Sequence, residues 1–185
     1  MLITIVLTLM LSAFVQGFLG FGSAALNVAL LTMVLSTKEA VGQVVSIAPV
    51  TILTAVLSQR RHVEYRGVLP LALITLCFFP VGVLLLYTAP EQALHIALGA
   101  VVVFAALSQV LGSRVHLIPT GRGGGIAAAV LSGLFGGAIG VPGLTMTAYL
   151  YGKEQNPTVA RASLQFFFVF TVAVALVSHA VAGTV

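Results

Sequence analysis

Six apolar segments, at 1–36, 40–58, 67–88, 92–112, 123–152 and 157–185, take up nearly all of this 185-residue chain. A helix needs roughly 20 residues to cross the hydrocarbon core of a bilayer, so the second, third and fourth segments each predict one crossing. The first and fifth are longer than a crossing requires. Composition agrees: 59% of residues are hydrophobic, 6% are charged, and Trp and Asp are absent, whereas a soluble domain carries roughly a quarter charged residues. The pattern predicts an all-α polytopic membrane protein with the lipid bilayer as its main partner. The formal charge of +4 is small and dispersed. It argues against nucleic acid and predicts basic loops anchored at a lipid surface.

The two long segments each contain a glycine cluster, Gly17-Phe18-Leu19-Gly20-Phe21-Gly22 and Gly133-Leu134-Phe135-Gly136-Gly137-Ala138-Ile139-Gly140. Lys38-Glu39 and Lys153-Glu154 follow them. A glycine break within an apolar span frees backbone groups that lipid cannot satisfy. Such a break survives only where protein or a polar cavity surrounds it. Two in corresponding positions predict a transporter's binding centre, with both breaks converging at mid-depth. Each long segment is either a tilted, interrupted helix or a pair of half-helices that dips in and returns.

Arg60, Arg61 and Arg66 in the loop 59–66, with Arg114 and Arg122 in the loop 113–122, lie two crossings apart and so on one side. The positive-inside rule makes that side cytoplasmic, in the cell (inner) membrane. Glu91 and Lys38-Glu39 then face outward. If segment five crosses fully, Lys153 faces out. If it re-enters, Lys153 and Arg161 face in and the two halves have opposite topology; this second reading puts more basic charge inside. The single Cys77 cannot form an intrachain disulfide. Residues 1–22 lack a basic start and a small-residue cleavage site and read as a retained span.

An internal repeat is visible by offset. Gly17 matches Gly133, Gly20 matches Gly136, and, after small shifts, Lys38-Glu39 match Lys153-Glu154 and Ser46 matches Ser163. Residues 1–116 form one four-segment unit, and 117–185 form two segments of a second whose last two are expected beyond Val185. Such a chain could be truncated or completed by a partner chain, a homodimer included.

The chain resembles the TauE/SafE sulfite exporter family of membrane transporters. The resemblance rests on Gly17-x-x-Gly20-x-Gly22, on Gly133 through Gly137 and Gly140-Val141-Pro142-Gly143, and on the stretch Arg161-Ala162-Ser163-Leu164-Gln165-Phe166-Phe167. It implies about eight spans and export of sulfite, organosulfonates or related small anions. Ser23-Ala24-Ala25-Leu26-Asn27 stands where the first motif would carry a further glycine and a proline.

A broken helix exposes N–H groups at its N-terminal half-end, where the dipole favours an anion. Glycine lets the ligand approach the backbone closely, and Pro142 removes one amide donor. The alternative is that the clusters serve close helix packing. Candidate substrate-binding residues are Gly17, Gly20, Gly22, Asn27, Gln43, Gly133, Gly136, Gly137, Gly140, Pro142, Gly143, Arg161 and Gln165. Arg161 either snorkels to the interface or holds the anion. Gln16, Asn27, Gln43, Ser46, Ser163 and Gln165 are polar residues in apolar spans that glue helices or line a cavity. Pro49 and Pro80 predict kinks.

No cofactor is expected, and His62, His95, His116 and His179 do not form a metal set. His179 is a proton relay or a packing residue. The expected function is export of a small anionic solute by alternating access. One alternative is a truncated, non-transporting membrane protein or half-transporter needing a partner chain. A remoter one is an intramembrane serine hydrolase built on Ser132 and His179, though Val130-Leu131-Ser132-Gly133 lacks the glycine two residues before the serine.

Overall fold

The computed structural model describes residues 7–8, 10–12, 14, 23–111, 118–154 and 156–181. Among them no strand occurs, and residues 7, 8, 10–12 and 14 are helical. Seven further helices follow: α1 (Ser23–Leu31), α2 (Thr37–Gln59), α3 (Tyr65–Thr88), α4 (Glu91–Leu111), α5 (Arg122–Ile139), α6 (Gly143–Lys153) and α7 (Pro157–Val181). A 3-10 turn, Arg60–His62, joins α2 to the loop before α3. Tyr65–Thr88, Arg122–Ile139 and the Pro157–Ser178 part of α7 are long and apolar enough to cross a membrane. The chain is an all-α membrane protein. Large apolar side chains such as Leu53, Leu84 and Ile96 face outward, as they do where the solvent is lipid.

Local chemistry fixes the helix ends. Ser36 caps α2 in a reciprocal box with Glu39: the Ser36 amide donates to Glu39 Oε2 (3.0 Å) and the Glu39 amide to Ser36 Oγ (3.4 Å). A second acid reaches the same terminus from elsewhere, since the Thr37 amide donates to Glu91 Oε1 at 3.0 Å. The starts of α2 and α4 therefore share one end of the bundle. Pro90 ends the run of α3, and Glu91 in the first turn of α4 complements that helix's dipole. At the other end, Asn156 Oδ1 accepts from the Thr158 amide (3.0 Å) and Pro157 occupies the first position of α7.

α3 and α5 form the tightest contact and run parallel. Thr75 Oγ1 donates to the Ala129 carbonyl (2.9 Å). Further along, Gly133 faces Thr75 O and Phe78 Cβ, and Gly137 faces Phe79 O and Val83 N. Register rises together along both helices, so the start of α5 lies beside the start of α3. Arg60, Arg61, Arg66 and Arg122 consequently share the end opposite Glu91, as the charge pattern of the loops predicts.

α6 then doubles back on α5. Thr145 Oγ1 donates to the Ala128 carbonyl at 3.1 Å, and Gly125 abuts the Tyr149 ring. The hairpin returns to the end it left, where Lys153 Nζ lies 3.5 Å from Glu64 Oε2. Segment five is thus two antiparallel helices and not one interrupted rod.

Without a hydrophobic drive between helices in lipid, such close backbone approach is what holds α3 to α5. A Cβ on Gly137 would collide with Phe79 O, whereas one on Gly99 of α4 would meet nothing within 4 Å. Gly137→Ala is expected to cost about 1–3 kcal/mol of stability from forced overpacking. Gly99→Ala should leave it unchanged or slightly higher. Thermal unfolding in detergent distinguishes them; equal melting temperatures would contradict the close-contact account.

Candidate helical-break site

The turn between α5 and α6 is built on one glycine. Gly140, at φ 69°, is the only described residue with positive φ, a conformation that costs glycine nothing and an L side chain substantially. It lets α5 stop inside the bundle. The Gly140 amide donates to Gly136 O (3.1 Å) and the Val141 amide to Phe135 O (3.3 Å), which satisfies terminal carbonyls. Pro142 precedes α6 and brings no amide of its own. No side chain caps α6. The first-turn amides of Gly143, Leu144 and Thr145 therefore have no intrahelical acceptor, and the dipole gives that end positive character.

The break is enclosed by protein, as backbone in this condition must be. A Cβ on Gly140 would lie 3.2 Å from Val41 Cγ1 of α2 and 3.5 Å from Val28 Cγ2 of α1. One on Gly143 would press on the Phe168 ring of α7, 2.5 Å from Cζ. Gly136 packs on Pro142 Cβ and Phe79 Cε2. Val41 is one helical turn, about 6 Å, from the Thr37 end of α2. Phe168, by contrast, is the twelfth of the 25 residues of α7, so the break reaches from near the Glu91 end of α2 to the middle of α7.

The residues singled out from sequence separate into groups. Gly17, Gly20 and Gly22 lie outside the described residues. Gly133, Gly136 and Gly137 have their α-carbon faces filled, the first and last by the α3 backbone, so close packing accounts for them locally. Gly140, Pro142 and Gly143 make the break itself. Asn27 of α1 is 9% exposed, its Oδ1 accepts no hydrogen bond, and it adjoins Val28, which touches Gly140. Gln43 of α2 is half-buried, two residues past Val41. Gln165 of α7 is 2% exposed, one turn before Phe168. Arg161 is half-buried near Tyr151. Since Tyr151 is eight residues along α6 from Gly143, the guanidinium stands roughly 12 Å from the break, toward the basic end.

Of the remaining polar residues, Ser163 Oγ accepts from the Glu64 amide (3.0 Å) and Ser46 Oγ donates to the Gly42 carbonyl (2.9 Å). Both satisfy backbone locally. Among the described residues no three His, Cys, Asp or Glu side chains gather to hold a metal.

Thr145 was not singled out from sequence, yet it stitches the hairpin. Its hydrogen goes to Ala128 O, so the fully buried Ser132 hydroxyl donates to Thr145 Oγ1 at 2.8 Å. Ser132 is committed to the hairpin by that bond. The detectable signal was Thr145-Met146-Thr147 directly after a glycine-proline break: hydroxyls on a half-helix that need partners inside the bundle.

A bundle of apolar helices closed by backbone contact, with one helical hairpin turning on an uncapped break, defines a polytopic α-helical membrane protein. The chain belongs to the TauE/SafE family: the family model described as "Sulfite exporter TauE/SafE" matches residues 5–185. No curated protein and no solved structure matches the chain.

Thr145→Val keeps the shape but strands the Ser132 hydroxyl and should lower stability by about 1–3 kcal/mol. Ser132→Ala leaves Thr145 bonded to Ala128 O and should cost less. The double variant should fall short of the sum of the two. A double-mutant cycle by thermal unfolding measures this coupling, and strict additivity would contradict the stitch.

Proposed function

We propose that this chain exports a small anion, sulfite or an organosulfonate, across the cell membrane by alternating access. The anion is held at the α5–α6 break by the free amides of Gly143, Leu144 and Thr145. The observation that carries this reading is a buried helix N-terminus with no side-chain cap, enclosed by Val28, Val41 and Phe168. A half-helix end of this kind attracts negative charge without a buried cation. Family membership supports the anion class.

Asn27, with an unoccupied buried acceptor, and Gln43 line the approach from α1 and α2. Gly17, Gly20 and Gly22 supply the corresponding break of the first half. Arg161 and Gln165 belong to the entry route at the basic end, where a guanidinium draws anions in. The contacts of Gly133, Gly136 and Gly137 with neighbouring protein give these three a supporting part, holding α5 so that the break is correctly placed. We read the basic end as cytoplasmic. α5 and α6 are then a re-entrant pair and the two halves have inverted topology. The exit of α1 into α2 at the Glu91 end, against that of α6 into α7 at the Lys153 end, supports the inversion.

In proteoliposomes loaded with sulfite, wild-type protein should release the anion. Gly140→Val, which forbids the left-handed turn, should reduce release at least tenfold. Asn27→Leu, which leaves the turn intact, should reduce it too while reconstituting normally. Sulfite should also raise the melting temperature in detergent. Undiminished release in both variants, with no sulfite-dependent stabilisation, would sink the proposal.

Topology has its own test. In a Cys77→Ser background, Arg122→Cys and Asn156→Cys should react with a membrane-impermeant maleimide from one face, and Lys38→Cys from the other. Labelling of positions 122 and 156 from opposite faces would refute re-entry.

A further inference from the structure

Three exposed arginines crowd the turn between α2 and α3, and the one acid in that loop is engaged elsewhere. Arg60 and Arg61 belong to the 3-10 turn, of which no residue is buried, and Arg66 lies exposed in the first turn of α3. Tyr65 closes the loop by donating its hydroxyl to the Arg60 carbonyl at 3.0 Å. This holds Arg60 beside the start of α3. Glu64 pairs with Lys153 of α6, and among the described residues this is the only salt bridge. Among the described residues no carboxylate pairs with any of the three guanidinium groups.

Directly inward of the turn runs an aromatic strip. The Tyr65 ring meets Phe166 edge-on (centroids 4.9 Å), and Phe166 meets Phe170 likewise (5.2 Å). Both phenylalanines are on α7, which packs against α2 and α3; those two flank it and do not pack tightly on each other. Phe166 and Phe170 are only half-buried, Tyr65 is 49% exposed, and Leu57, Leu69 and Leu73 stand exposed on the flanking helices.

Unneutralised cations above a half-open apolar strip are complementary to a phosphate headgroup carrying acyl chains. We propose that Arg60, Arg61 and Arg66 bind the phosphodiester of an anionic phospholipid, whose acyl chain lies along Tyr65, Phe166 and Phe170. The planar guanidinium fork suits phosphate oxygens in pairs. Tyr65, apolar in its ring and polar at its tip, sits where an interfacial aromatic does. The site stands apart from the break and does not rest on the transport reading.

The test uses the purified full chain in neutral detergent, read by native mass spectrometry and by melting temperature. Phosphatidylglycerol should be retained and should raise the melting temperature, more at low salt than at high. Phosphatidylcholine and soluble glycerol 3-phosphate should do neither. Apparent affinity for phosphatidylglycerol should fall about fivefold for each of Arg60→Gln, Arg61→Gln and Arg66→Gln, and on the order of a hundredfold for all three together. Lysine at the same positions, which keeps the charge and loses the fork, should fall between wild type and the glutamine variants. Lys38→Gln, at the opposite end of the bundle over the Tyr87 ring, should change nothing. The proposal is overturned by equal binding of phosphatidylcholine, by equal stabilisation from glycerol 3-phosphate, or by undiminished binding in the triple variant. A two-chain species whose formation excludes lipid would also overturn it, since a second copy would then cover the strip.

Discussion

Direct contact between the backbones of α3 and α5 is the constraint on which the remaining architecture depends. Gly82 faces the carbonyls of Gly133 and Leu134, and Gly137 faces Phe79 O and Val83 N. No side chain fits between them. Lipid offers helices no hydrophobic reason to associate, so dispersion at close range, with Thr75 bonded to the Ala129 carbonyl, must do so. α5 runs parallel to α3, and α6 returns along α5, so the chain reverses where α5 ends. Gly140 provides that turn.

The two ends of the bundle are closed by different chemistry. At one end Glu91 reaches across 54 residues of sequence to cap α2, adding to the local Ser36–Glu39 box. At the other, Glu64 works twice: its amide is held by Ser163 and its carboxylate by Lys153. Both acids bridge segments that are remote in the chain. With only four acidic residues available, two are spent on tying segments together. Neither bridge needs burial of a charge, which lipid would penalise heavily.

Much of this was legible in advance, for physical reasons. The apolar runs predict α2 (Thr37–Gln59), α3 (Tyr65–Thr88) and α4 (Glu91–Leu111) to within a few residues, because a bilayer sets a fixed length for a crossing. Arginine placement predicts which loops share an end. Length alone fits the fifth segment to an interrupted rod and to a returning pair alike; the Ser132–Thr145 and Thr145–Ala128 contacts lay α6 back along α5. The glycine cluster was harder. Gly133, Gly136 and Gly137 look like Gly140 and Gly143 in one dimension, yet the first three face neighbouring side chains and backbone and only the last two shape the turn. That distinction needs the rotational phase of α5 relative to α3. Thr145 escaped notice because a hydroxyl in an apolar helix usually bonds its own preceding turn, as Thr147 does to Gly143 O.

α6 is anchored unequally at its two extremities. Its inner extremity is set by a left-handed glycine and wedged against the Phe168 ring. Its outer extremity is tied to the loop by a half-exposed ion pair, of a kind worth at most about 1 kcal/mol. Tyr149 and Leu150, one turn earlier, are buried, so the lightly held part of this short rod is its last turn. The amide donors at the other extremity are thereby shielded from whatever happens at the ion pair, held in place by the buried length of rod between them.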